Sequence, residues 1–291
     1  MRSRPGVFWY SLGLTLLLLL PLIGLTAFFV HQRQEQNVLR QAAAERGGLP
    51  VEQGAQDTWR MLLVVQQEDP AFVLARVDGP AQTVTLCALP GDLQVAAPAG
   101  TTTLSACALS AGAGRAAQLL SQTAATGETA VQQLYYLAAT PACWQDCVGE
   151  STTARLDTAA LLSRSQREEI GYGEDSVAEI TAADAPALIE QMQSCLDTTG
   201  KQADVRAAVW EAFVRQNPDL LASLPEAWRQ YSARTLTDLM ATELGGVEKT
   251  LTYLTAQSGL TVQYTTAATQ RAGQESALTE EGIQTVRELL Q

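Results

Sequence analysis

Arg60-Met61-Leu62-Leu63-Val64-Val65-Gln66, Ala71-Phe72-Val73-Leu74-Ala75-Arg76-Val77 and Thr83-Val84-Thr85-Leu86-Cys87-Ala88-Leu89 follow one another with only short gaps between them. Each run has the length of a strand and is built of aliphatic and β-branched residues. Asp78-Gly79-Pro80 supplies a turn between the second and third runs, and Pro90-Gly91 closes the third. They read as three consecutive members of one sheet, with Val64, Val73 and Leu86 buried, because runs this apolar are not left in water. Downstream, small and aliphatic residues recur at helical spacing from 106 to 126, and Gly127 is the stop. Residues 131–137 read as a fourth strand. Beyond Ala182 the pattern is mostly helical, with boundaries at Gly200, Asn217-Pro218, Pro225 and Gly259. Residues 260–264 return as a strand, and a helix over 279–290 is capped by Thr279 with acids in its first turn. Strands alternating with helices predict an α/β fold, a mixed sheet in an α/β/α sandwich. No internal repeat or low-complexity block interrupts it. The 46% hydrophobic content supplies a core, and with only 6% aromatics that core is aliphatic.

The N-terminus carries a different signal. Residues 7–30 form a run of 24 positions without a charge, centred on five consecutive leucines. At about 1.5 Å per residue it spans about 36 Å, enough to cross a hydrocarbon layer with some tilt. Arg2 and Arg4 precede it with no acid nearby, which places the N-terminus in the cytoplasm and the rest outside. A cleaved signal peptide has a shorter apolar region and a small-x-small cleavage site, so an uncleaved anchor is the better reading. Residues 31–48 continue as a polar stalk that ends at Gly47-Gly48-Leu49-Pro50. The expected organisation is therefore 1–30 as cytoplasmic start and transmembrane helix, 31–58 as stalk and linker, and 59–291 as a single extracytoplasmic domain. The bilayer, met through residues 7–30, is the first expected partner.

All 31 acids and 17 of the 19 bases lie beyond residue 30, so that part carries −14. Such a surface repels phosphate backbones, and nucleic acid is excluded as a partner. Five cysteines, Cys87, Cys107, Cys143, Cys147 and Cys195, cannot all pair within the chain. They read as small hydrophobes, with one internal bridge as the alternative. His31 is the only histidine and abuts the apolar run, so no zinc site or histidine-based triad can be assembled in the domain. There is no phosphate-binding G-x-x-x-x-G-K-[ST] loop and no nucleophile elbow. Gly112-Ala113-Gly114 fits a relaxed dinucleotide fingerprint, but the segment before it is a weak strand, so a plain helix with small residues is preferred. Glu168-Glu169 and Glu280-Glu281 sit in polar surroundings and read as solvated. The residues themselves require no cofactor.

The order of anchor, stalk and domain resembles the LytR-CpsA-Psr (LCP) family of the cell envelope. Residues 72–78 resemble the family strand that ends in aliphatic-x-Asp, and 83–95 its next strand and Ile-Pro-Arg-Asp turn. Residues 103–114 are similar to its helix entry, and 127–136 to the loop and strand that follow. The resemblance spans about 59–291. It implies transfer of glycopolymers from polyprenyl-pyrophosphate carriers to peptidoglycan, with arginines clamping the diphosphate and aspartates holding Mg²⁺. Arginine suits that role because its planar fork meets phosphate oxygens two at a time. On this sequence the family's Arg-x-Asp falls on Glu68-Asp69-Pro70, and the turn arginine falls on Gly91, although Asp92 is kept. Arg206 matches one later arginine while the other falls on Ala203. The candidate catalytic residues are thus Asp69, Asp92 and Arg206, with Asp69 and Asp92 the candidate metal ligands. Mg²⁺ and polyprenyl pyrophosphate are implied only where the activity is retained. With Glu68 inverting the charge, the expectation is a pseudoenzyme: a non-catalytic binding, scaffold or regulatory module, whose partner is a cell-wall polymer or another envelope protein. The alternative is a working phosphotransferase.

Overall fold

A computed structural model describes residues 54–98, 100–125, 133–173 and 176–291. The three opening runs form β1 (Thr58–Val65), β2 (Ala71–Asp78) and β3 (Thr83–Leu89), an antiparallel meander in which Leu63 faces Val73 and Val73 faces Ala88. Val64, Val73 and Leu86 are all buried, as expected. Alternate residues of β1 enter different cores: Leu62 and Val64 on one face, Met61 and Leu63 on the other. A sheet covered on both sides is why these runs are continuously apolar rather than alternating.

β4 (Gln94–Ala97) and β5 (Gly100–Thr103) form a separate hairpin, and β6 (Tyr135–Ala139), β9 (Thr235–Thr237) and β10 (Thr261–Tyr264) complete the mixed sheet, whose order is β10-β3-β2-β1-β6-β9. β6 runs parallel to β1, β10 runs parallel to β3, and β9 runs antiparallel to β6. Hence β1, β3, β6 and β10 all point one way. One face is closed by α1 (Leu104–Ala111), α2 (Ala113–Ala124) and α9 (Glu280–Leu290), packed on Phe72, Leu74 and Leu89. The other face is covered by α3 (Pro141–Val148), α6 (Thr199–Gln216), α7 (Asp219–Gln230) and α8 (Ala241–Ala256). A hairpin of β7 (Thr153–Asp157) and β8 (Val177–Thr181), with α4 (Arg164–Glu169) and α5 (Ala185–Ser194), packs against α6 around a third cluster. α9 starts as expected, with the Thr279 hydroxyl accepting from the Gly282 amide. Its end is fastened by Arg60, which donates to the backbone oxygen of Gln291, and by Arg76, which donates to that of Glu288.

Several boundaries differ from expectation. The helix expected over 106–126 is two helices broken at Gly112, whose φ of +87° no helix accommodates. Gly114 is small because a Cβ there would lie 2.9 Å from the Tyr136 ring, so it lets α2 approach β6. The described part of the fourth strand runs over Tyr135–Ala139, where pairing opens as Tyr135 meets Met61 of β1, and residues 131 and 132 lie outside the described residues. Gly200 is not a boundary: Thr198 caps α6, and Gly200 falls in its first turn, where a Cβ would meet the Thr269 hydroxyl at 2.7 Å. Pro225 lies inside α7. The mostly helical region beyond 182 also holds the short hairpin β11 (Thr269–Ala272) and β12 (Glu275–Leu278). The five cysteines are free thiols. The expected transmembrane helix and stalk lie outside the described residues, and among the described residues no helix is long and apolar enough to cross a membrane.

Candidate functional site

The carboxyl ends of the four parallel strands define one edge of the sheet, the position where open α/β sheets hold their ligands. Asp69 follows β1, Gly91 and Asp92 follow β3, Pro141 and Trp144 follow β6, and Thr266 follows β10. Asp69 is exposed, and its Oδ1 accepts a hydrogen bond of 3.3 Å from the Ser105 hydroxyl at the start of α1. Gly91 fits tightly there, because a Cβ would stand 2.3 Å from Ser105 Oγ and 3.2 Å from Asp69 Oδ1. The Ser105 amide donates to the Gly91 carbonyl, so the β1–β2 loop, the turn after β3 and α1 are tied together.

Asp92 is committed elsewhere. Its Oδ2 accepts from Thr199 Oγ1 at 3.2 Å and Ser276 Oγ at 3.1 Å, and its buried Oδ1 has no partner among the described residues. Arg206 sits on α6. Burial pushes its pKa down to about 10 and the nearby Asp69 carboxylate pulls the other way, so it remains a cation at neutral pH. Among the described residues it has no hydrogen-bond or ion-pair partner. The fold therefore brings Asp69 and Arg206 together and turns Asp92 toward hydroxyls. Ala203 is buried in the core beneath α6, and Glu68 is exposed in the loop beside Asp69.

No local pattern announces the space beside them. A cavity of about 640 Å³ lies between the sheet and α3, α5, α6 and α7. Leu63, Val84 and Leu86 line it from the sheet and Trp144, Trp210 and Phe213 from the helices. The two indoles meet at 5.3 Å between centroids, and Trp144 Nε1 donates to the Val64 carbonyl, which leaves its polar group satisfied within an apolar wall. Arg206 and Glu190 are the only charged residues lining it among those described. Three tryptophans on three helices (Trp144, Trp210 and Trp228) were the available signal, but their convergence depends on tertiary packing.

Near this edge, burial pushes the Asp204 carboxyl of α6 up to about 6 against a hydrogen bond from Thr266, and burial, then Asp204, push the thiol of Cys87, which faces the opposite core, up to about 12. These residues do not fit a magnesium ion: among the described residues no three His, Cys, Asp or Glu side chains converge, and Asp69 and Asp92 use their oxygens on different hydroxyls.

Solved structures share this fold. A protein of Eubacterium siraeum described as a transcription regulator matches with a TM-score of 0.60 at 15% identity, over 83% of this chain and 93% of its own. TagT of Bacillus subtilis matches at 0.54 and 14%, over 81% and 91%. TagU of Bacillus subtilis matches at 0.50 and 10%, over 81% and 97%. TagT has also been solved bound to LI-WTA, and that structure matches at 0.56 and 12%, over 82% and 91%. TagT and TagU are LytR-CpsA-Psr proteins, so the resemblance read from the sequence holds at the level of fold. No family model matches the sequence, and no curated protein does.

Proposed function

We propose that this chain is a membrane-anchored, extracytoplasmic, LCP-like module of the cell envelope that holds the apolar chain of an envelope lipid without transferring its head group. The observation that carries the reading is the apolar cavity opening beside Asp69 and Arg206. A hollow of this volume lined by aliphatic and indole groups suits a hydrocarbon chain. Transfer chemistry on a diphosphate needs several converging cations, since positioned charge is what stabilises the departing phosphate. Here one guanidinium faces the cavity, with Glu68 and Gly91 where the family places arginines. Residues 7–30 would supply the anchor, and a cell-wall polymer or envelope protein the partner.

The test is incubation of the full-length protein with a polyprenyl-diphosphate-linked glycopolymer, peptidoglycan and Mg²⁺. The expected result is quenching of tryptophan emission by the lipid with no cleavage of the diphosphate. One observation favours a glycopolymer phosphotransferase, namely the convergence of Asp69 and Arg206. Mg²⁺-dependent transfer that Arg206→Ala abolishes would establish that reading and remove the first.

A further inference from the structure

We infer that the amphiphile held in this cavity carries a head group of one negative charge, a carboxylate or a phosphodiester, and not a diphosphate. The inference rests on the chain-binding reading above and concerns only the polar end of the ligand. Apart from Glu190, the wall in which Arg206 is set is made of neutral side chains, and no described residue takes its N–H groups. A half-buried guanidinium set in an apolar wall without a protein acceptor is an open site, and it is matched by an oxyanion that accepts two parallel N–H bonds. The carboxylate nearest to it electrostatically, Asp69, is exposed and spends Oδ1 on Ser105, so it offsets the charge of Arg206 without capping it.

The surroundings then limit the charge of the visitor. The other charged residue of the lining is Glu190, and Glu68 adjoins Asp69 in the same loop. Lys201, earlier on α6, does not line the cavity and pairs with Asp197 at 3.4 Å. A carboxylate or phosphodiester is matched one for one by Arg206. A diphosphate would have its first charge matched and its remaining charge set among acids, where like charges repel in a partly desolvated mouth. A half-buried cation with few acceptors and a rim of acids therefore selects against the doubly charged head.

The test uses the full chain in nonionic detergent and four ligands with one saturated sixteen-carbon chain: hexadecanol, hexadecanoate, hexadecyl methyl phosphate and hexadecyl diphosphate. Binding is read from tryptophan emission. Hexadecanoate, hexadecyl methyl phosphate or both should bind at least tenfold more tightly than the alcohol and the diphosphate, and which of the two binds separates a fatty-acid source from a phospholipid source. Arg206→Gln should bring the anions down to the level at which that same variant binds hexadecanol, and thermal unfolding followed by circular dichroism shows independently that the variant is folded. Arg206→Lys should recover part of the preference. Tightest binding by the diphosphate, or anion binding indifferent to Arg206→Gln, overturns the inference while the cavity reading stands. Failure of all four ligands, hexadecanol included, overturns the cavity reading itself.

Discussion

Leu74 and Leu86 are both buried leucines of the central sheet, yet truncating them should not cost the same. Leu74 is 0% exposed in the closed core under α1, α2 and α9, whereas Leu86, at 4%, lines the cavity on the opposite face. Leu74→Ala loses the transfer free energy of its buried methyl groups and opens a new void, for about 3–5 kcal/mol. Leu86 already faces empty space on one side, so fewer contacts are lost and the void merges with one that exists, for about 2 kcal/mol. For a domain of this size each kcal/mol shifts the melting temperature by about 2–4 °C. Thermal unfolding of the two variants, followed by circular dichroism in the absence of ligand, should therefore give a drop for Leu74→Ala about twice that for Leu86→Ala. Equal losses at the two sites would mean that Leu86 is packed on every side, and the hollow face would have to be abandoned.

Other consequences are equally open to measurement. The Asp204 carboxyl titrates near 6 in the folded chain against an ordinary value of 3.8, so its contribution to stability is complete below about pH 4 and is lost as pH rises through about 6. Asp204→Asn should therefore raise stability at pH 8 by about 1 kcal/mol, after allowing for partial exposure, and flatten the decline between pH 4 and 6 in urea titrations. Gly282→Ala should lower the melting temperature clearly, because its Cβ would fall 2.0 Å from the Ala268 carbonyl oxygen; an unchanged transition would contradict the seating of α9. Glu68→Arg combined with Gly91→Arg, the latter requiring the Ser105 hydroxyl to rotate away, should raise affinity for hexadecyl diphosphate at least tenfold in the emission assay. Cys87 and Cys147, their thiols pushed up to about 12 by burial, should resist alkylation at pH 8 until the chain unfolds, and peptide mapping reads this directly.

What was legible in the sequence follows from how local each signal is. The strands around Val64, Val73 and Leu86 were visible because a sheet buried on both faces writes unbroken apolar runs, and Thr279 announced α9 because a cap is a contact three residues long. Gly112 was harder: one glycine in a row of small residues reads the same whether the helix continues or breaks, and the break is decided by α1 and α2 meeting different surroundings. β7 and β8 were not read, since their alternating pattern is short and each is stable only against the other and α6. At the site, matching residues by type singled out Asp69 and Arg206, whose charges act on one another in the fold, but nothing local distinguishes Asp92, whose Oδ2 is claimed by Thr199 and Ser276 from far along the chain. The cavity was invisible because it is defined by what the helices fail to fill.

The fastening of α9 bears on how the molecule comes into being. Arg60 reaches the Gln291 carbonyl across 231 positions, and Val286, Leu289 and Leu290 lie in the same cluster as Leu62 and Leu74. A chain made from its N-terminus onward presents β1 and β2 early, and α1 and α2 cover only part of their inner face before α9 is made. The part that α9 covers stays exposed while the positions between Arg60 and α9 are made, which favours holding chaperones and slows folding through a late, long-range closure. Sealing of the core thus waits on α9, and removal of its final two turns would leave the cluster around Leu62 and Leu74 open rather than give a slightly shorter version of the same fold.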